Sequence, residues 1–234
     1  MMGNPPADVP IVRASRLSSG PDPGASKEWQ LDMLRGRLTE VTGFARLSAV
    51  AVLAREAHRR GNGVAWVSAV DSLFFPPDLE RWGVTVDRIP VVFAAAGSSV
   101  TVTAQCGAPA DTSSVRANVR HDRSSIVAER AARAAETLMR TGAFALIVLD
   151  LGDVRPATGS LGRLLRLAGF HDVAVVALTE GEPSLGSLVG VRVSASHSGP
   201  IDGRLTLDIT AIKDKRRRPY WCVREVCCAP DGMY

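Results

Sequence analysis

Two stretches of this chain hold residue types whose spacing could do phosphate chemistry. The first is Arg37-Leu-Thr-Glu-Val-Thr-Gly43, followed by Phe44-Ala-Arg-Leu-Ser48, a strand that runs through a turn into a helix. In a nucleotide-binding loop such a strand meets a glycine-rich turn, a Lys and a Ser or Thr. Backbone N–H groups wrap the phosphates, the Lys reaches the terminal ones and the hydroxyl holds Mg²⁺. Here Gly43 stands alone at the turn, no Lys follows, and Arg46 and Ser48 are the remaining polar candidates. The second stretch is Ala145-Leu-Ile-Val-Leu-Asp150, an apolar run closing on an acid, as a metal-facing strand does. Without a Lys to hold phosphate, Asp150 reads as a structural residue at a strand end and Arg46 as a solvated side chain. The frame of a nucleotide site without its working groups points to a binding role. No cofactor and no metal are expected.

A third feature is electrostatic. Lys213, Lys215, Arg216, Arg217 and Arg218 crowd into residues 213–218. Such a run suits an acidic protein surface or a phosphate backbone, the alternative being a solvated turn. Arg55, His58, Arg59 and Arg60 form a second cluster that reads as a solvated helix face. The four cysteines are Cys106, Cys222, Cys227 and Cys228. The C-x₄-C-C spacing fits no common zinc motif, so these read as small apolar residues on a strand.

The elements that must position these groups follow from bulk composition and periodicity. With 234 residues, 46% hydrophobic and 22% charged, the chain can bury a real core. Net charge is +4, which favours acidic partners without demanding nucleic acid. No apolar run reaches the roughly 18 residues of a bilayer span. Residues 1–25 are rich in Pro, Gly and Ser without an apolar signal core. A cytoplasmic protein with a leader over residues 1–36, a core over 37–228 and a mobile tail over 229–234 is expected.

Apolar runs at 37–43, 64–69, 89–95, 145–151 and 173–179 predict short buried strands. Helical periodicity lies over Ser48–Arg60, stopped by Gly61, and over Ser124–Thr141, stopped by Gly142. Val191–Ala195, Arg204–Ile212 and Tyr220–Cys227 alternate apolar and polar, which predicts an antiparallel meander. A further strand is expected within Val100–Ala104. The fold class is therefore α/β: a mostly parallel central sheet flanked by helices, with a C-terminal antiparallel meander. Ser26 is suited to cap a helix over Lys27–Arg35 that sets Trp29 and Met33 on one side. That helix docks either on its own core or on a partner.

Taken in order, these segments resemble the RecA ATPase core over about residues 37–228. Leu38–Gly43 is similar to the strand entering the family's phosphate loop, and Val64–Leu73 to the strand carrying its catalytic Glu. Ala131–Asp150 is the stretch most like it. Lys213-Asp-Lys215 with Pro219-Tyr220 resembles the Lys-x-Lys and Pro-aromatic signature near the end of that core. The departures are specific. The loop after Gly43 is about three residues short, the catalytic Glu falls on Val70, and Glu180–Ser187 is too short for the family's DNA-binding loop.

Among RecA-like chains without an ATP site, the resemblance is to the ImuA family, accessory proteins of mutagenic repair. It implies a non-enzymatic adaptor in SOS-induced translesion DNA synthesis. Its partners would be RecA, ImuB (an inactive relative of Y-family polymerases) and, indirectly, an error-prone DnaE-type polymerase. It also makes the basic run an inter-subunit edge. A SulA-like division inhibitor and a basic DNA-binding module are the alternatives.

Overall fold

Apolar runs that must be covered on both faces become the middle of one nine-stranded sheet. The computed structural model describes residues 28–69, 79–80, 82–94, 101–102, 117–181, 185–201 and 204–227. The strands are β1 (Leu38–Thr42), β2 (Gly63–Ser68), β3 (Val91–Phe93), β4 (Thr101–Val102), β5 (Phe144–Gly152), β6 (Ala174–Thr179), β7 (Val191–Ile201), β8 (Arg204–Asp214) and β9 (Cys222–Cys227). Their order across the sheet is β4-β3-β2-β5-β6-β1-β7-β8-β9. The run from β3 to β7 is parallel throughout, while β4, β8 and β9 pair antiparallel to their neighbours. The expected α/β class is what the sheet has, with one refinement: β7 joins the parallel sheet and also opens the meander.

Helices α1 (Leu31–Leu34) and α2 (Arg46–Arg59) pack on one face, and α3 (Ala117–Arg140) and α4 (Thr158–His171) on the other. Helix α2 carries the 3.6-residue spacing of Val50, Leu53, Ala54 and Ala57, and with Ala49, Ala51 and Val52 also buried its middle is enclosed on nearly all sides. It stops at Gly61, whose φ of +72° suits the left-handed turn, with the Asn62 N–H returning to the Ala57 carbonyl over 2.9 Å. Helix α4 has no counterpart among the sequence expectations. Gly159, Gly162 and Gly169 dilute its helical propensity, and burial of Leu161, Leu164 and Ala168 against the sheet decides its state.

The helix expected over Lys27–Arg35 spans only Leu31–Leu34 among the described residues, and Ser26 lies outside them. Its first N–H is capped from afar: Leu31 N–H donates to the Glu56 carboxylate at 2.8 Å. Trp29, Leu31 and Leu34 are fully buried in the core beneath α2, so the packed body begins before Arg37.

Candidate functional site

The ends of β1, β5 and β6 bring Gly43, Arg46 and Asp150, the residues considered for phosphate chemistry, to one edge of the sheet. Such C-terminal strand edges are where open α/β sheets bind ligands. The strands ending at Gly43 and in Asp150 are separated by β6 alone. Gly43 has φ +94° and sits so close to β7 that a Cβ there would overlap the Ala195 carbonyl oxygen. The Ala45 N–H donates to that same oxygen at 3.2 Å. In a phosphate-binding turn these N–H groups point outward at an anion. Here an internal carbonyl takes the Ala45 donor, and β7 occupies the space beside the turn.

The two polar candidates on α2 are also engaged. The Arg46 guanidinium pairs with the Glu180 carboxylate beyond β6 and reaches the Gly43 carbonyl at 3.5 Å. This corrects the expectation of a merely solvated Arg46: the acid after β6 gives it a local partner. Ser48 Oγ lies 3.1 Å from Nε2 of His197 on β7. Burial pushes the His197 imidazole below its ordinary value, which favours the neutral ring at physiological pH. Phe44, between these groups in sequence, is 99% exposed.

Asp150 is buried two residues before the end of β5, opposite Ser68 of β2 and Leu178 of β6, and its carbonyl accepts the Ala69 N–H at 2.8 Å. Among the described residues no cluster of three His, Cys, Asp or Glu side chains is placed to hold a metal. Val70, expected from the sequence at the place of a catalytic Glu, lies outside the described residues.

The basic run lies at the opposite edge. Asp214 pairs in register with Val191, the first residue of β7, so β8 ends where the parallel strands begin. Asp214 itself is buried and ion-paired with Arg37, whose side chain is also buried. The Trp221 indole N–H donates to Asp214 at 3.2 Å and the Arg216 N–H at 3.0 Å. Burial opposes the Asp214 charge, but Arg37, Arg216 and Trp221 outweigh it and hold the carboxyl below its usual range. Around this anchor Lys215, Arg216, Arg217 and Arg218 are exposed and Lys213 is half-buried. The ammonium groups of Lys213 and Lys215 both donate to the Ser187 carbonyl.

The structure separates the two residues expected on one side of the N-terminal helix. Trp29 is 1% exposed, donates its indole N–H to the Ala49 carbonyl at 2.9 Å and lies 6.5 Å from the Trp221 ring. It belongs to the chain's own core and is not available for docking. Met33 is half-buried, and its sulfur accepts from Arg217 at 3.3 Å. The second basic cluster is likewise more engaged than a solvated face. Arg55 pairs with Glu225 at 3.3 Å and lies over the Trp82 ring, His58 Nδ1 accepts the Thr85 N–H at 3.2 Å, and Arg60 pairs with Asp32 and Glu56. Arg59 remains exposed. Cys222 is an exposed free thiol on β9, while Cys106 and Cys228 lie outside the described residues.

Sequence reasoning missed Glu40. It is fully buried in β1 and accepts from Arg192 Nε at 2.8 Å, from Thr179 Oγ1 at 3.2 Å and from the Leu185 N–H at 3.2 Å. Arg192 also donates to the Gly186 carbonyl at 3.3 Å. The signal was present: a charged residue inside a strand buried on both faces must find a charged partner.

No protein-family model matches this chain, and no curated protein matches it. Among the described residues, no helix is long and apolar enough to cross a membrane.

Proposed function

We propose that this protein is a non-catalytic, RecA-like adaptor of the ImuA type, working in the cytoplasm in mutagenic translesion DNA synthesis. One observation carries the non-catalytic part: the turn after β1 is closed on itself. Gly43 abuts the Ala195 carbonyl, the Ala45 N–H donates to it, and Arg46 is paired with Glu180. A turn whose donor and neighbouring space belong to β7 has no cradle for a triphosphate. Support for the RecA-like part comes from the sequence motifs, together with the short spacing between the Gly43 and Asp150 strands across β6. The partners we propose are RecA and ImuB, with the error-prone polymerase reached through them.

Co-purification from cells after DNA damage tests the partner assignment. Recovery of RecA and an inactive Y-family polymerase relative with the tagged chain is expected. Recovery of a tubulin-like division protein in their place would move the assignment to a division inhibitor.

A further inference from the structure

The β8–β9 turn is a fixed base carrying positive charge that has no carboxylate partner among the described residues. Its anchor is Asp214, buried against Arg37 and bonded to the Arg216 N–H and the Trp221 indole. Across the turn the Tyr220 N–H donates to the Ala211 carbonyl at 2.9 Å, and the Ala211 N–H to the Trp221 carbonyl at 2.9 Å. These bonds hold Tyr220 at φ +69°, a conformation that L side chains seldom adopt. Among the described residues, Lys213, Lys215, Arg216, Arg217 and Arg218 form no ion pair with a carboxylate. Arg35, Arg37, Arg46, Arg55, Arg60, Arg163, Arg192 and Arg224 do, whereas the exposed Arg59, Arg88, Arg133, Arg140, Arg155 and Arg166, like the turn, do not among the described residues. Five cations within six residues of one turn, without a carboxylate partner among the described residues, concentrate charge that is available to a partner.

The apolar groups at the same place indicate which partner. Tyr220 is 80% exposed, Ile212 is 42% exposed, and the Met33 thioether lies under Arg217. Tyr, Arg and Met are the side chains enriched at protein interfaces. Single-stranded nucleic acid is held differently, by stacking successive bases on several aromatic rings. The turn offers one exposed ring, and an aliphatic side chain and a thioether add nothing to a phosphate backbone.

Resting on the adaptor reading above, we propose that the 213–220 turn captures an acidic segment of a partner protein that also carries apolar side chains. Carboxylates of that segment would meet Arg216, Arg217, Arg218 and the two lysines, and its apolar residues would cover Tyr220 and Ile212. A turn already fixed by Asp214 loses little backbone freedom on binding.

Fluorescence anisotropy with the full chain tests this. The probe is a short labelled peptide alternating Glu or Asp with Leu and Phe, compared with poly-glutamate and oligo-dT of the same length. The mixed peptide should bind saturably, more weakly as salt rises, and more tightly than either comparison polymer. The triple variant Arg216→Glu, Arg217→Glu, Arg218→Glu should lose about tenfold or more in affinity. Ile212→Ser and Tyr220→Gly should each weaken the mixed peptide while leaving its salt dependence unchanged; glycine accepts the positive φ, so that variant keeps the turn. No saturable binding, equal binding by the triple variant, or tighter binding of oligo-dT would overturn the proposal. Each of these failures leaves RecA co-purification and the response to ATP as they were, so the adaptor reading stands or falls separately.

Discussion

Glu40 of β1 and Arg192 of β7 stand opposite each other in register, and Arg192 Nε donates to the fully buried Glu40 carboxylate at 2.8 Å. Lys213 pairs with Arg192 on the next strand, so one row of charge crosses β1, β7 and β8. Through Glu40 and Arg192 the row also fixes the backbone of Leu185 and Gly186. It thereby ties the segment after β6 to the sheet.

Breaking this pair from one side should be costly. Arg192→Ala leaves a buried carboxylate without its cation and should destabilise by about 3–5 kcal/mol in chemical denaturation. The double variant Glu40→Leu, Arg192→Met should lose much less than the two single losses added together, because it leaves no orphaned charge. Additive losses would show that the two residues do not act as a pair.

Acid stability should report on Asp214. Its carboxyl is held below the ordinary aspartate value of 3.8, with burial opposed by Arg37, Arg216 and Trp221. A carboxyl with a depressed native pKa stabilises the fold above its unfolded-state pKa, and that contribution is lost as pH falls through the native value. Stability from this group should therefore be complete at neutral pH and decline below about pH 4. Asp214→Asn should melt lower at pH 7 and show a shallower acid limb. Glu225 acts in the opposite sense, because burial pushes its carboxyl up, so mild acid relieves a cost there before the Asp214 contribution fails.

The turn after β1 should tolerate no side chain at Gly43. Gly43→Ala meets the Ala195 carbonyl and forces a non-glycine residue to φ +94°. A loss on the order of 1–3 kcal/mol is expected in thermal or urea unfolding. A neutral result would mean that the turn stands away from β7.

The Asp150 strand should matter more for its apolar residues than for its acid. Ile147 and Leu149 are fully buried, so Ile147→Ala or Leu149→Ala should each cost about 2–5 kcal/mol through the cavity left behind. Asp150→Asn should cost less if no metal is bound. The reverse order in thermal melts would restore a metal role to Asp150.

The strands β2, β5 and β6 were legible because a strand buried on both faces reads as a continuous apolar run, as in Ala145–Leu149 and Val173–Leu178. Helix α4 was not, because Gly159, Gly162 and Gly169 argue locally against a helix that only packing against α3, β6 and β1 can decide. The basic run was visible as charge, but not the inward turn of Asp214, which needs Arg37 from 177 residues away. Trp29 was expected on a helix, but it precedes the helix, which begins at Leu31. Its burial beneath α2 depends on the tertiary contact with Ala49 and Trp221. The missing Lys was plain in the sequence, whereas the closure of the turn by Ala195 is a relation between β1 and β7 that no local pattern encodes.

The most direct test of the proposed non-catalytic reading is isothermal titration of the full chain with ATP and Mg²⁺. With Gly43 and the Ala45 N–H held against Ala195 and Arg46 paired with Glu180, no saturable heat and no ATP turnover are expected. Saturable binding with a micromolar Kd would contradict the account.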